Sequence, residues 1–240
     1  MDLLDLSIPD GYEIPFVLTL VVILVKIVLA GFLLAKIVRK RDEQNVFALN
    51  FIGSAFLFMV LAAISRVFYM VFDFFQTEFD EARYIEVPNI WFWKAGSLFS
   101  ALGIIFIIWV LDKKILTNKL KGIPAYIMIV GILIQFLYPV NDFSDFEVIT
   151  AIGMVKLVAF LIPILFFYIG ARAPGLRKIA FAIAIGVIVY TVGGSIVSAT
   201  LITVFKDTFG LATGAVYMIS IGMKVAGLLA ITYGAVHFKT

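Results

Sequence analysis

Apolar residues in this chain run in long blocks separated by short polar clusters, with neither a helical stripe nor a strand-like alternation dominating. The blocks cover 14–37, 47–75, 88–111, 123–140, 147–169, 178–204 and 211–236. A helix needs roughly 20 predominantly apolar residues to cross the hydrocarbon core of a bilayer. The pattern therefore predicts an all-α, polytopic membrane protein with seven transmembrane helices. Several connections are only a few residues long, so consecutive helices are expected to be antiparallel. No block is set aside for a second soluble unit, and 1–240 reads as a single transmembrane domain.

The polar clusters between the blocks differ in sign. One set carries Lys36, Arg39, Lys40 and Arg41, then Lys113, Lys114, Lys119 and Lys121, then Arg172, Arg177 and Lys178. The alternate set carries Asp2, Asp5, Asp10 and Glu13, then Glu78, Asp80, Glu81 and Glu86, then Asp142, Asp145 and Glu147, then Asp207, with only Arg83 and Lys206 breaking the pattern. Basic loops stay in the cytoplasm, which places the N-terminus outside and the C-terminus in the cytoplasm of a prokaryotic cell membrane. Tyr12, Tyr84, Trp91, Trp93 and Tyr138 fall near the expected outer interface, and Trp109 near the inner one.

Composition sharpens the class. The chain is 63% hydrophobic and 15% charged, against roughly 45–50% and about 25% in soluble domains. Its mean hydropathy is +1.11. The formal charge of +3 is distributed as topogenic loop charge and does not indicate a nucleic-acid partner. Cysteine is absent and histidine occurs once, at His237. Disulfides, thiolate metal sites, iron–sulfur clusters and bis-histidine haem are thereby excluded, and no cofactor is expected. Nucleotide-binding loops and metalloprotease signatures are missing from the sequence, so the chain is not expected to be an enzyme.

Against this apolar background five basic residues fall inside the blocks: Lys26, Arg66, Lys94, Lys156 and Lys224. A cation at the centre of a spanning helix costs about 2.5–3.5 kcal/mol even on the translocon scale. Lys26 and Lys224 lie too deep for their stems to reach either interface, whereas Lys94, beside Trp91 and Trp93, is expected to snorkel outward. Arg66 has Tyr69 and Asp73 on its own face and is expected to pair with Asp73. Thr191, Ser195 and Ser198 form a polar stripe on the sixth block. Gly193 and Gly194 beside it would let a backbone or ligand approach closely, and Ser220 and Gly227 flank Lys224. Lys26, Lys156, Lys224 and Arg66, with Thr191, Ser195 and Ser198, are the candidate ligand-binding residues. Packing alone, with each lysine bonded to backbone carbonyls or hydroxyls, is the competing explanation.

Two of the spacings match. Lys156 lies 130 residues after Lys26, and Lys224 lies 130 after Lys94. Val25-Lys26-Ile27-Val28 aligns with Val155-Lys156-Leu157-Val158. An internal repeat follows, with 14–111 as the first three-helix unit, 123–140 as a linker helix and 147–236 as the second unit. A linker of one span makes the two units parallel about an axis along the membrane normal.

This 3+1+3 layout with an outside N-terminus resembles the SWEET sugar transporters of the PQ-loop class, at the level of topology over the whole chain. The Pro-Gln signature is not present; Pro163 is followed by Ile164. A second resemblance is to microbial rhodopsins, in which a lysine midway along helix 7 carries retinal. Met223-Lys224-Val225-Ala226-Gly227 looks like that segment. Helix 3 has Ile90-Trp91-Phe92-Trp93-Lys94 where that family places a carboxylate, and helix 6 has only Tyr190 of its aromatic-proline pattern, which speaks against retinal. The expected function is a carrier or binding protein for a small anionic or polar solute, or an acidic lipid, through a lysine-lined interior. The alternative is a heptahelical sensor or scaffold that signals to a separate cytoplasmic partner. The lipid bilayer is a partner in either case.

Overall fold

The computed structural model describes residues 8–9, 11–44, 51–197 and 199–237. Among these every regular element is helical. Helix α1 (Glu13–Gln44) is followed by α2 (Phe51–Met70), which continues as a π-helical turn over Val71–Gln76. Helix α3 (Asn89–Val110) also ends in a π-helical turn, Leu111–Ile115. Helix α4 (Ile123–Leu137) leads to α5 (Phe143–Ile152), a 3-10 stretch (Gly153–Phe160) and α6 (Leu161–Arg172). Then come α7 (Arg177–Ser195), α8 (Ala199–Phe209) and α9 (Thr213–His237).

Six segments are long and apolar enough to cross a bilayer: Glu13–Arg39, Phe51–Gln76, Asn89–Lys113, Phe143–Arg172, Pro174–Ser195 and Thr213–His237. The apolar helix α4 has 15 residues, about 22 Å at ~1.5 Å per residue. Two expected boundaries are corrected. The block 147–169 begins at Phe143, ends at Arg172 and is not a uniform helix, because its middle tightens to 3-10 geometry. The block 178–204 is not one helix either. The α-helix ends at Ser195, where Gly193 and Gly194 sit in its last turn, and a separate helix starts at Ala199.

The helices form a closed ring in chain order. α1 packs on α2, α2 on α3, α3 on α4, and α4 on the 3-10 stretch. α6 packs on α7, α7 on α9, and α9 returns to α1. Leu33, Met59, Ala101, Met128, Phe166, Ile183 and Leu228 fill the contacts between them and are buried. The outward faces are equally apolar: Leu24 and Val28 on α1, Val130 on α4 and Ile164 on α6 are each more than half exposed. A water-soluble surface does not carry so continuous an apolar coat. These apolar helices point to an integral membrane protein in contact with lipid.

α7 packs tightly on α9, and glycine sets the contact. A methyl group added at Gly193 would stand 2.8 Å from Met223 Cβ and 2.9 Å from the Ser220 carbonyl oxygen. One added at Gly227 would stand 2.6 Å from the Gly186 carbonyl oxygen and 2.7 Å from Tyr190 N. Small residues at such positions let helix backbones touch, which is a principal source of helix association in lipid. Ser220 Oγ donates to the Gly193 carbonyl oxygen at 2.6 Å and fixes the register. That register decides which way Lys224 faces.

Candidate functional site

Lys26, Arg66, Lys156 and Lys224 line one cavity of about 430 Å³. Its wall is built from all six of the long apolar segments. α1 supplies Lys26, α2 supplies Ser65, Arg66 and Tyr69, and α3 supplies Ser100. The 3-10 stretch supplies Lys156, α7 supplies Tyr190 and Gly194, and α9 supplies Lys224. Phe58, Ala62 and Ile104 form an apolar wall. The volume lies within the roughly 300–1,000 Å³ of small-ligand sites.

Each cation is held differently. Lys26 is buried and donates from Nζ to the Ala62 carbonyl oxygen at 2.9 Å. Its ammonium also lies 5.8 Å from the centre of the Tyr190 ring. Arg66 Nη2 donates to Thr19 Oγ1 at 3.0 Å, and its Nη1 stands 3.8 Å from Asp73 Oδ2. Asp73 sits in the π-helical turn, and it is the one carboxylate ion-paired with these cations among the described residues. Lys156 Nζ donates to Ser97 Oγ at 2.7 Å. Lys224 has no hydrogen-bond or ion-pair partner among the described residues, although an ammonium offers three donors. Four basic side chains thus line a single space, and one carboxylate pairs with one of them, Arg66.

The Lys156 contact is the end of a chain of bonds. Ser97 Oγ donates to Gln135 Oε1 at 2.7 Å, and Gln135 Nε2 donates to the Ile149 carbonyl oxygen at 2.7 Å. A methyl group at Gly153 would stand 2.6 Å from Gln135 Nε2. Gly153 therefore leaves room for the amide just where α5 gives way to 3-10 geometry. A 3-10 stretch within a helix commonly marks a hinge or strain; here it carries Lys156 to the cavity.

Some expected site residues lie elsewhere. Thr191 does not line the central cavity. It lines a second cavity of about 300 Å³, with Lys156, between the 3-10 stretch and α7. Ser195 is exposed and donates back to the Thr191 carbonyl oxygen at 3.1 Å, so it caps its own helix instead of facing a ligand. Ser198 lies outside the described residues. Thr191 and Ser195 share a face of α7, and neither lines the central cavity. Of the two glycines, Gly193 is used by the α9 backbone, and Gly194 faces open space at the cavity.

Lys94 departs from expectation. It is buried and donates to the Tyr138 carbonyl oxygen at 2.6 Å while lying 5.0 Å from the Trp91 ring centre. Tyr138 follows the last residue of α4, so its carbonyl has no partner within that helix. Lys94 caps α4 instead of snorkelling past Trp91. Ser65, Ser97, Ser100 and Gln135 were not among the expected site residues. Ser97 and Ser100 are spaced three apart on one face of a helix, and Gln135 is an isolated amide in an apolar block. A polar group in a spanning segment is by default placed for a partner.

Comparison with family models, with curated proteins and with solved structures finds no match to this chain. The geometry of the cavity alone bears on its function.

Proposed function

We propose that the protein is a membrane carrier or binding protein that takes a small anion into the cavity formed by Lys26, Arg66, Lys156 and Lys224. The observation that carries this reading is Lys224. Its ammonium faces the same 430 Å³ space as three other cations and has no partner among the described residues. Packing would account for Lys26, Lys156 and Lys94, each of which bonds a carbonyl or hydroxyl oxygen. It does not account for Lys224. An anion placed between Lys224 and Lys156 would receive charge-assisted bonds, which are about twice as strong as neutral ones. Ser65, Ser100 and the phenol of Tyr69 would complete its shell. No bond-breaking step is assigned to the site.

In this reading α4 is the seventh span, the acidic loops face outward, and the basic loops face the cytoplasm. Lys113 lies 4.8 Å from the Trp109 ring centre and Arg172 5.6 Å from that of Tyr168. Such aromatic-cation pairs suit an inner interface. Movement of the ligand across the bilayer would use the 3-10 stretch at Lys156 as its hinge, with one group of helices rocking against the other.

The test is a thermal-stability screen of purified protein in detergent against chloride, nitrate, phosphate, sulfate and short carboxylates. The expected result is stabilisation by at least one anion, lost in Lys224→Met and kept in Lys178→Met, whose lysine is exposed on α7. No response to any anion, or the same response in Lys224→Met, contradicts the reading. Flux in liposomes then separates a carrier from a sensor that binds without transport.

A further inference from the structure

Lys156 lines two cavities. One is the cationic chamber just described. The other, of about 300 Å³, is walled by Gly153, Leu157, Phe160, Pro163, Val187 and Ile188, with Thr150 and Thr191 at its polar margin. Leu157 is 56% exposed and Phe160 46% exposed, so this second cavity is a cleft open on the outer face of the bundle. It lies in the middle of the Phe143–Arg172 span and so faces hydrocarbon, away from both aqueous surfaces. An apolar cleft at that depth, ending at an ammonium, has the shape of a site for an acyl chain with an anionic head.

We propose that the ligand is a single-chain alkyl carboxylate that enters sideways from the bilayer, its chain in the cleft and its carboxylate at Lys156 and the cations behind it. This rests on the anion reading above and narrows it to an amphiphile. A carboxyl group favours its neutral, protonated form in an apolar medium, so a fatty acid can reach the middle of the bilayer uncharged. On reaching the cations it would give its proton to water entering the central cavity, leaving a carboxylate beside Lys156. The phosphodiester of a phospholipid has no such neutral route at ordinary pH. The cleft's volume of about 300 Å³ is of the order of one medium-length alkyl chain.

The experiment uses the full chain in phosphatidylcholine nanodiscs and a fatty acid carrying a diazirine in mid-chain. The expected photolabelling falls on Leu157, Phe160, Val187 or Ile188 and drops at least tenfold in Lys156→Met. Unlabelled decanoate should compete, and its methyl ester should not. Because the labelling is read on the wild-type chain, a misfolded variant does not decide the outcome. Label spread over the outer faces of α1 and α4 would overturn the proposal, as would equal competition by the ester. Stronger cleft labelling by a diazirine phosphatidic acid than by the fatty acid would also overturn it. If these fail while sulfate or phosphate still stabilises the protein through Lys224, the anion site stands without the acyl cleft. If no anion stabilises it, the anion reading itself fails.

Discussion

Lys156 donates a hydrogen bond to Ser97 Oγ at 2.7 Å, across the gap between the 3-10 stretch and α3. Ser97 Oγ in turn donates a hydrogen bond to Gln135 Oε1 on α4, and Gln135 Nε2 donates to the Ile149 carbonyl on α5. Three side chains thereby tie α3, α4 and the Phe143–Arg172 segment together and present Lys156 to the cavity. Ser97→Ala removes the partner of both Lys156 and Gln135. The expected loss is about 1–2 kcal/mol, the upper part of the range for interhelical hydrogen bonds in lipid. Unfolding of the purified variant in mixed micelles measures it. Ser97→Thr, which keeps the hydroxyl, should recover most of the loss.

Gly193 and Gly194 are neighbours with opposite tolerances. A side chain at Gly193 meets the α9 backbone, whereas one at Gly194 meets open space. Gly193→Leu is expected to destabilise by about 1–3 kcal/mol through overpacking and to lower the melting temperature. Gly194→Ala should stay within about 0.5 kcal/mol of the parent. Thermal melts of the two variants side by side check the α7–α9 contact.

Asp73 competes with any bound anion for Arg66, which it approaches at 3.8 Å. Asp73→Asn removes that competitor while keeping the shape of the side chain. With side-chain exposures of 21% and 24%, the pair is partly solvated, and its strength is taken as about 1 kcal/mol. Anion affinity should therefore rise about fivefold in Asp73→Asn, measured by calorimetric titration with the anion that stabilises the parent most. An unchanged or weaker affinity would place the anion away from Arg66.

Asp112 is 1% exposed at the end of α3 and accepts from Leu120 N at 2.8 Å and Gly122 N at 2.6 Å. Gly122 has φ of 73°, a left-handed conformation that an L side chain resists. The carboxylate and the glycine together close the turn into α4. Asp112→Ala is expected to cost about 2–3 kcal/mol, seen as a lower melting temperature and faster proteolysis within 113–122. Anion affinity at the distant cavity should not change.

Much of this fold is legible in the sequence because the bilayer enforces a simple code of apolar length. The blocks at 14–37 and 88–111 became helices over those residues, and the cations at 26, 66, 156 and 224 were visible as anomalies of cost. Their convergence was not. It depends on rotation about each helix axis, and for Lys224 that rotation is set by Gly193, Gly227 and Ser220, whose contacts are pairwise and distant in sequence. The helix break after Ser195 was hidden because Val197 and Leu201 continue the apolar pattern, so hydropathy registers no interruption. Lys94 was misplaced for a related reason. Depth alone suggested water as its partner, but the open carbonyl at the end of α4 is nearer. Asp112 drew no notice in the sequence, because its partners are backbone amides, which composition does not reveal. Lys26 and Lys156 both line the central cavity, whereas Lys94, 130 residues before Lys224, instead caps α4.

The central claim is that an anion occupies the space facing Lys224. Anomalous diffraction from crystals grown with selenate or bromide tests it most directly. The account predicts an anomalous peak inside the cavity, within hydrogen-bonding reach of Lys224 and of at least one of Lys26, Lys156 or Arg66. The peak should vanish in Lys224→Met crystals of the same form. Anomalous peaks confined to the surface loops, with the Lys224 ammonium bonded to backbone or water and no anion beside it, would contradict the account.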